Sequence, residues 1–323
     1  ISQLRGARTA AAAAEEQTHA TRQSVAFEVV RAYYRALLAD QEKITTAAAL
    51  AREKAFAKQA HDRVDAGMAL ASDGLQADVD VSQREQEAVE ANSNALVAYA
   101  QLAGILGGEA QPFALVIPTG TPGHVAAPLE SLEAAALEQR PDLQAARNEI
   151  ASAKQSVHAG REAYGPQFST FANIEADNPH LTGGGNSNWT VGAKAEIQLF
   201  DGGERRAQVS KANAQREMAE AAYKQAEIEA GIEVKQAYYA QQNAERQYGI
   251  SGEMLTKTQE TLRTTLDRYS AGLVTVTDVL SQQEQLRYME LTRVQSLYRW
   301  WIADAQLRLA TGNLNSAPSG VHP

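Results

Sequence analysis

Chemistry in this chain would have to come from histidines and carboxylates, because it contains no cysteine. That removes disulfides, thiolate catalysis and thiolate metal ligation together. The six histidines are His19, His61, His124, His158, His180 and His322, and they form no H-x3-H pair and no HExxH motif. The spacing that puts two imidazoles on one zinc is therefore missing. No G-x-S-x-G, G-x-x-x-x-G-K or G-x-G-x-x-G pattern occurs either, so hydrolase, phosphate-loop and dinucleotide chemistry have no support. The chain reads as no enzyme, and no cofactor is implied. Its 39 acidic residues are mostly a solvated helical face. Asp278 stands apart, since it follows Gly272 at the start of a helix, where a carboxylate complements the macrodipole. Asp73 follows Gly67 in the same way. Arg63 and Arg268 precede these two turns, either as ordinary C-terminal cations or as ties between adjacent helix pairs.

The element that must position these residues is the stretch from Glu204 to Gly272. It has no proline and is rich in alanine, glutamate, glutamine, lysine and arginine, the residues that lose least on entering a helix. Tyr248, Leu255, Leu262 and Tyr269 recur at sevens, a seam of helices packed lengthwise. At 1.5 Å per residue the stretch predicts a rod of roughly 100 Å. The rod occurs twice. A shift of 205 residues, without a gap, lays Ile1–Gly107 over Arg206–Gly312. Ala32-Tyr33-Tyr34 then meets Ala237-Tyr238-Tyr239, Asp62-Arg63 meets Asp267-Arg268, Ala66-Gly67 meets Ala271-Gly272, and Asp73 meets Asp278. Identities that cluster at a tyrosine pair, a turn and a terminus mark a repeat.

Around Gly67 the chain turns, with Gly67 as a left-handed helix cap and Ser72 or Asp73 as the cap of the returning helix. Residues 111–128 carry four prolines, Pro112, Pro118, Pro122 and Pro128, and form an extended linker. A short helix, Leu129–Gln139, follows, and Arg140-Pro141 opens another, with proline tolerated in its first turn. After Gly165-Pro166 the period changes from 3.6 to 2. Phe168, Thr170, Ala172 and Ile174 lie on one face of a first strand. Trp189, Val191, Ala193, Ala195, Ile197 and Leu199 lie on one face of a second, which ends in Leu199-Phe200-Asp201-Gly202-Gly203. Gly183-Gly184-Gly185 falls in the loop between them. Strands of about ten residues suit a bilayer crossing; a hairpin with one buried face fits the same alternation. Val279, Leu286, Trp300 and Leu307 mark the last returning seam, with Arg293 in its empty register, and a disordered tail is expected after Gly312.

Composition agrees with thin helical layers: 44% of residues are apolar but only 6% aromatic. A net charge of −9 offers no general attraction to nucleic acid. No run of about 18 apolar residues exists to make a spanning helix. The opening ISQLRGARTA lacks the basic start and apolar core of a signal peptide. Because Ile1 aligns with Arg206, inside a repeat, the chain reads as beginning in mid-element, as a fragment would.

The duplicated helix–strand–strand–helix unit, the RPDL at Arg140–Leu143, the LFDGG at Leu199–Gly203 and the RYSAGLVTVTDVL at Arg268–Leu280 together resemble the TolC-like outer membrane efflux family. The resemblance runs from Ile1 to Gly312. It implies a mainly α fold with a small β part: long antiparallel coiled-coil-like helices for an α-barrel, and a hairpin contributing to an outer-membrane β-barrel. The parts would be a first helical repeat (1–109), a proline-rich equatorial linker and short helix (110–140), a second helical repeat (141–165 with 204–312), barrel strands (166–203) and the tail (313–323). The implied function is a passive homotrimeric conduit in the outer membrane and periplasm of a Gram-negative cell. It would touch outer-membrane lipid and work with a periplasmic adaptor and an inner-membrane pump to export small molecules or proteins. Asp278 and Asp73 would ring the closed pore, though Ser281 stands where the family often has a second acid. The first repeat's counterpart of Pro141–Gly203 is missing before Ile1, so this chain is expected to trimerise less readily than a full-length relative. The competing class is a periplasmic coiled-coil adaptor or tether. Such a protein would carry compact lipoyl-like or β-barrel domains, for which no length remains.

Overall fold

The computed structural model describes residues 2–108, 115–177 and 186–314. Gly183–Gly185, His180, His322 and nearly all of the anticipated tail lie outside them. In chain order the elements are α1 (Ser2–Asp65), α2 (Ala71–Ile105), α3 (Leu129–Gln139), α4 (Pro141–Glu162), β1 (Gln167–Asp177), β2 (Asn186–Glu196), α5 (Glu204–Ser270) and α6 (Val276–Ala310). They form two compact units, one of residues 1–20 with 141–229 and one of residues 21–140 with 230–323.

In the first unit, small residues let α4 lie close to the starts of α1 and α5. Ser152 Oγ donates to the Gly6 carbonyl at 3.2 Å, and a Cβ on Gly160 would come within 3.2 Å of Val209. Arg147 reaches the Tyr223 hydroxyl at 3.1 Å. Asp201 starts α5, its carboxylate accepting from the Gly203 and Arg205 N–H groups, each at 3.0 Å. The Arg205 side-chain bond, reinforced by those amides, holds Asp201 down to about 2. Gly202 and Gly203, at φ 63° and 91°, supply the left-handed backbone this junction needs.

The strands pair antiparallel from Gln167↔Glu196 to Asp177↔Asn186. This register sets Phe168, Thr170, Ala172 and Ile174 opposite Ala195, Ala193, Val191 and Trp189, so the two anticipated apolar stripes are one face. The second strand begins earlier than anticipated and stops at Glu196 rather than at Leu199-Phe200. Glu196 pairs with the first residue of β1, and Pro166 before it has no N–H for another rung. The described hairpin side chains are exposed on both faces, Gly192 excepted. The buried face of a soluble hairpin is therefore not found among the described residues.

In the second unit the heptad spacing faces inward. Leu262, Tyr269, Val279, Leu286, Trp300 and Leu307 are all buried. Arg293, at the polar step of the seam, lies over the Tyr248 ring; a Cβ on Gly252 would sit 3.0 Å from its guanidinium. Beside it Ser251 and Ser296 share a hydrogen bond of 2.9 Å. The repeat is visible in the tyrosine pairs, edge-on at 5.6 Å for Tyr33–Tyr34 and 5.4 Å for Tyr238–Tyr239. The repeats meet where α6 packs on α1: Tyr34 stacks on Trp301 at 5.5 Å and Arg52 pairs with Glu290 at 2.6 Å.

One polar cluster interrupts these apolar contacts. Glu53 of α1, buried among Asp80 and Arg84 of α2 and Gln283, Glu284 and Arg287 of α6, shares a small void with them. Arg84, itself buried, bonds Glu87 at 2.7 Å and Glu284 at 3.0 Å, and the Gln283 amide is within reach of the Glu53 carboxylate. Burial, with the neighbouring Asp80 charge adding, pushes Glu53 up to about 7, while Arg84 and Arg52 pull the other way. An unfolded glutamate titrates near 4.5, so between these values the folded chain binds the extra proton. Stability contributed by that proton is present below the window and falls as pH rises through it, by at most about 1.4 kcal/mol per pH unit. Glu53→Gln should flatten this fall, so that the variant's melting temperature overtakes the parent's by about pH 8. Thermal melts from acid to alkaline pH test it; parallel curves for the two proteins would refute it.

Candidate functional site at the helix-hairpin turns

Both long helices end in the same way. Gly67 and Gly272 take φ of 69° and 74°, values that strain any residue with a Cβ. Met68 N–H donates to the Arg63 carbonyl at 2.8 Å and Gly67 N–H to Val64 at 2.9 Å. Leu273 and Gly272 repeat the pattern on Arg268 and Tyr269, both at 2.9 Å. These paired bonds satisfy carbonyls that the helix end leaves without partners.

Arg63 does more than cap its own helix. Its guanidinium donates to the Ser270 carbonyl at 3.1 Å and lies 4.8 Å from the centre of the Tyr269 ring. It brings a cation to the negative end of α5 and ties the first turn to the second. Arg268, its repeat counterpart, is exposed and makes no equivalent contact among the described residues. Tyr269 is the centre of the cluster: its ring is 5.4 Å from Phe56, and Val276, Val279 and Leu280 complete the packing. Its hydroxyl is enclosed without a hydrogen-bond partner among the described residues. Burial pushes this phenol up, Arg63 pulls it down and Asp73 pushes it up again. Sequence reasoning counted Tyr269 as a seam residue only; its place beside the turn glycine was the available signal. Phe56 carried none.

Asp278 lies at the third position of α6, and Thr275 is the N-cap. Thr275 N–H donates to the Asp278 carboxylate at 2.8 Å, and Asp278 N–H donates to Thr275 Oγ1 at 3.3 Å. This is a reciprocal capping box. The Thr275 hydroxyl bond, then the Thr275 backbone bond, hold the exposed Asp278 carboxyl below the usual range. At the start of α2 only half of the box exists. The cap is Leu70, not Ser72 or Asp73; Asp73 accepts from Leu70 N–H at 3.2 Å, and leucine has no oxygen to return the bond. Near Asp73 a histidine stands in for packing. A Cβ on Gly74 would come within 2.9 Å of the His61 ring, whose Nε2 lies 2.9 Å from Asp78. That bond, together with the Asp78 charge, raises the His61 imidazole.

The turns therefore bring Arg63, Gly272, Tyr269 and Phe56 together. They leave Asp278 and Arg268 facing outward as fixed charges. Such an arrangement has no nucleophile held against a base; it can hold helices at a set spacing and present charge.

The chain matches the outer membrane efflux protein family over residues 1–108 and 132–313. It is 26% identical over 250 residues to the probable efflux pump outer membrane protein TtgC of Pseudomonas putida, a match covering 70% of this chain and 51% of the relative. It is also 26% identical over 199 residues to the cation efflux system protein CusC of Escherichia coli, covering 61% of this chain and 41% of the relative. The chain thus spans about half the length of the curated relatives it matches. Among solved structures, the fold resembles that of CusC, with a TM-score of 0.83 at 21% identity over 96% of this chain and 73% of that one. The outer membrane protein VceC of Vibrio cholerae gives 0.79 at 22% identity over 95% and 74%. With the family matched over most of its length, this chain belongs to the outer membrane efflux protein family.

Proposed function

We propose that the chain serves in a homotrimeric outer-membrane conduit, a passive export channel that works with a periplasmic adaptor and an inner-membrane pump in a Gram-negative cell. The carrying observation is an asymmetry between equivalent helices. Trp301 of α6 is 3% exposed, because Tyr34 of α1 covers it; its counterpart on α2, Leu96, is 65% exposed. The counterpart of Tyr34 is Tyr239 on α5, and it too is open, at 59%. A second copy that docks its α5 on this α2, as α1 docks on α6, would cover both. Charge follows the same rule. Arg52–Glu290 becomes Lys257 facing Glu85, and the Gln295–Glu42 bond of 2.8 Å becomes Glu90 facing Gln247. Contacts of one kind, within and between copies, generate a ring where their rotation closes.

In this reading residues 166–203 supply barrel strands, with the Phe168–Trp189 face toward lipid and the polar face inward. The long helices form the periplasmic wall, and residues 110–140 form a belt around it. The names of the relatives refer to solvents, an antibiotic and cations, so we assign substrate choice to the pump rather than to this wall. Cysteines at Leu96 and Tyr239 should form a disulfide between copies in isolated outer membranes, giving a ladder that ends at a cross-linked trimer on denaturing gels. Monomer alone, or a ladder with no stop at three, would refute the ring.

We also propose Asp278 and, to a lesser degree, Asp73 as acidic residues of the pore constriction. The Thr275 bonds favour the charged form of Asp278, and the capping box holds the carboxylate in place. Asp278→Asn should lower cation preference in single-channel recordings, because symmetry-related charges at one narrow radius act on each passing ion. Asp73→Asn should do less, since its carboxylate is half-buried beside Tyr269. Thr275→Ala, which removes a cap worth about 1 kcal/mol and no charge, should leave ion preference alone. Unchanged preference in Asp278→Asn would return that residue to helix capping only.

A further inference from the structure

Charge is not spread evenly along the first unit. The chain carries 39 acidic and 30 basic residues, yet the last turns of α4 hold Lys154, His158 and Arg161 against a single carboxylate, Glu162. That carboxylate is turned to α1, where it accepts from Ser2 Oγ at 2.5 Å. Gly6 of α1 lies against Gln155, and Val209 of α5 lies against Gly160, so α4 is flanked on both sides. At about 100° per residue, the two contact lines on α4 are about 150° apart, measured through Ser156. The layer of three helices therefore bends toward Ser156 and leaves Lys154, His158 and Arg161 on its convex face. Arg5 of α1 and Arg206 of α5 project from that face by the same rotation. All five side chains are exposed.

Their lack of partners sets these cations apart from others in the unit. Arg216 meets Glu217 and Glu220 at 3.5 and 3.6 Å, and Arg205 meets Asp201 at 2.5 Å. Arg5, Lys154, Arg161 and Arg206 have no carboxylate partner among the described residues. Toward the hairpin the surface turns apolar. Leu199 and Phe200, between β2 and α5, are 89% and 85% exposed, and Tyr164, just past α4, is half-exposed. Beyond them lies the uncharged hairpin face from Phe168 to Trp189. Along the unit the order is an apolar face, a band with two aromatic side chains, and a collar of bare cations. A lipid leaflet runs in the same order, from hydrocarbon through the interface to phosphate.

We propose that this collar binds the phosphate groups of anionic phospholipid, of the phosphatidylglycerol type, in the leaflet that meets the helices. The inference rests on the reading of residues 166–203 as barrel strands. A guanidinium offers a phosphate two parallel N–H groups, and lysine adds a compact charge. A zwitterionic lipid brings its own ammonium to its phosphate; an anionic one leaves the phosphate to the protein. Attraction to such a surface falls off within a Debye length of about 10 Å, and Lys154 to Arg161 spans about that depth.

Flotation of the 323-residue chain with vesicles tests this, using phosphatidylcholine alone and phosphatidylcholine with about 30% phosphatidylglycerol. The anionic vesicles should bind at least about tenfold more tightly at low salt, and added salt should shrink the gain. The triple variant Lys154→Gln, Arg161→Gln, Arg206→Gln should lose the gain and keep its binding to neutral vesicles. A control triple at exposed sites away from the hairpin, Lys43→Gln, Lys58→Gln, Lys224→Gln, removes the same charge and should keep the gain. Equal binding to both vesicles would overturn the proposal and leave the barrel reading standing. A gain that survives the first triple, or is lost equally in the control, would also overturn it. Binding to neither vesicle would overturn both. A gain lost only in the first triple, without binding to neutral vesicles, would uphold the collar and count against the barrel strands.

Discussion

Everything in the second unit depends on alanine at the lines of contact. Ala57 and Ala60 meet Ala77, Ala32 and Ala36 meet Leu102, Ala136 meets Ala237 and Ala310, and Ala244 meets Ala303. A methyl group buries little apolar area, but it loses no rotamer freedom and lets two backbones approach closely. Between these files the larger contacts are few and spaced: Tyr34 on Trp301, Tyr248 at 5.5 Å from Trp300, Phe56 on Tyr269. Helices paired side by side in this way leave room for no deeper core. Close approach is also what lets Arg63 reach the carbonyl at the end of another helix.

Within that constraint the two repeats have diverged in what fills equivalent places. His61 over Gly74 stands where Leu266 and Val279 stand in the second hairpin, Leu70 where Thr275 caps, and Glu53 with Arg84 where Thr258 and Met289 lie. The first hairpin is thus more polar inside, and its α2 buries far less than α6. The polar content has a physical consequence: buried polar groups that must be matched residue by residue oppose slippage, because a one-turn shift along an alanine file would part Glu53 from Gln283 and Arg84 from Glu284. Alanine files alone would tolerate such a shift.

The long helices, the repeat, the turn glycines and the apolar strand face were legible in the sequence because each rests on local spacing: sevens, twos, or a shift of 205 that returns the same turn. What was not legible depends on partners distant in the chain. The end of β2 is set by Pro166 on the other strand. The choice of Leu70 as cap over Ser72 follows from where the Gly67 turn releases the chain. Arg63 and Arg268 each follow an aspartate and precede a turn glycine by four residues, yet among the described residues only Arg63 donates to the end of another helix. Glu53 looks like any surface carboxylate until α2 and α6 close over it.

Three kinds of exposed surface remain, and their chemistry separates them. The hairpin face from Phe168 to Trp189 carries no charge and, Thr170 apart, is apolar, while the other face holds Glu175, Lys194 and Glu196 beside Phe171. An apolar medium on one side and water on the other suits the two faces, which favours the barrel reading over a tether. The open face of α2 is different, since Leu96 and Val89 are flanked by Glu85 and Glu90. Lipid would leave Glu90 unsolvated, whereas a helix bearing Lys257 and Gln247 would match it and add to the 2.7 Å Lys54–Glu85 pair. The turns differ again, since the charged Asp278 and Arg268 stand beside the exposed Met68, Leu70 and Leu273. In the proposed reading lipid covers the hairpin face and a second copy covers α2, and exchanging these two neighbours would place a copy's polar side chains on an apolar stripe or the Glu90 carboxylate in hydrocarbon.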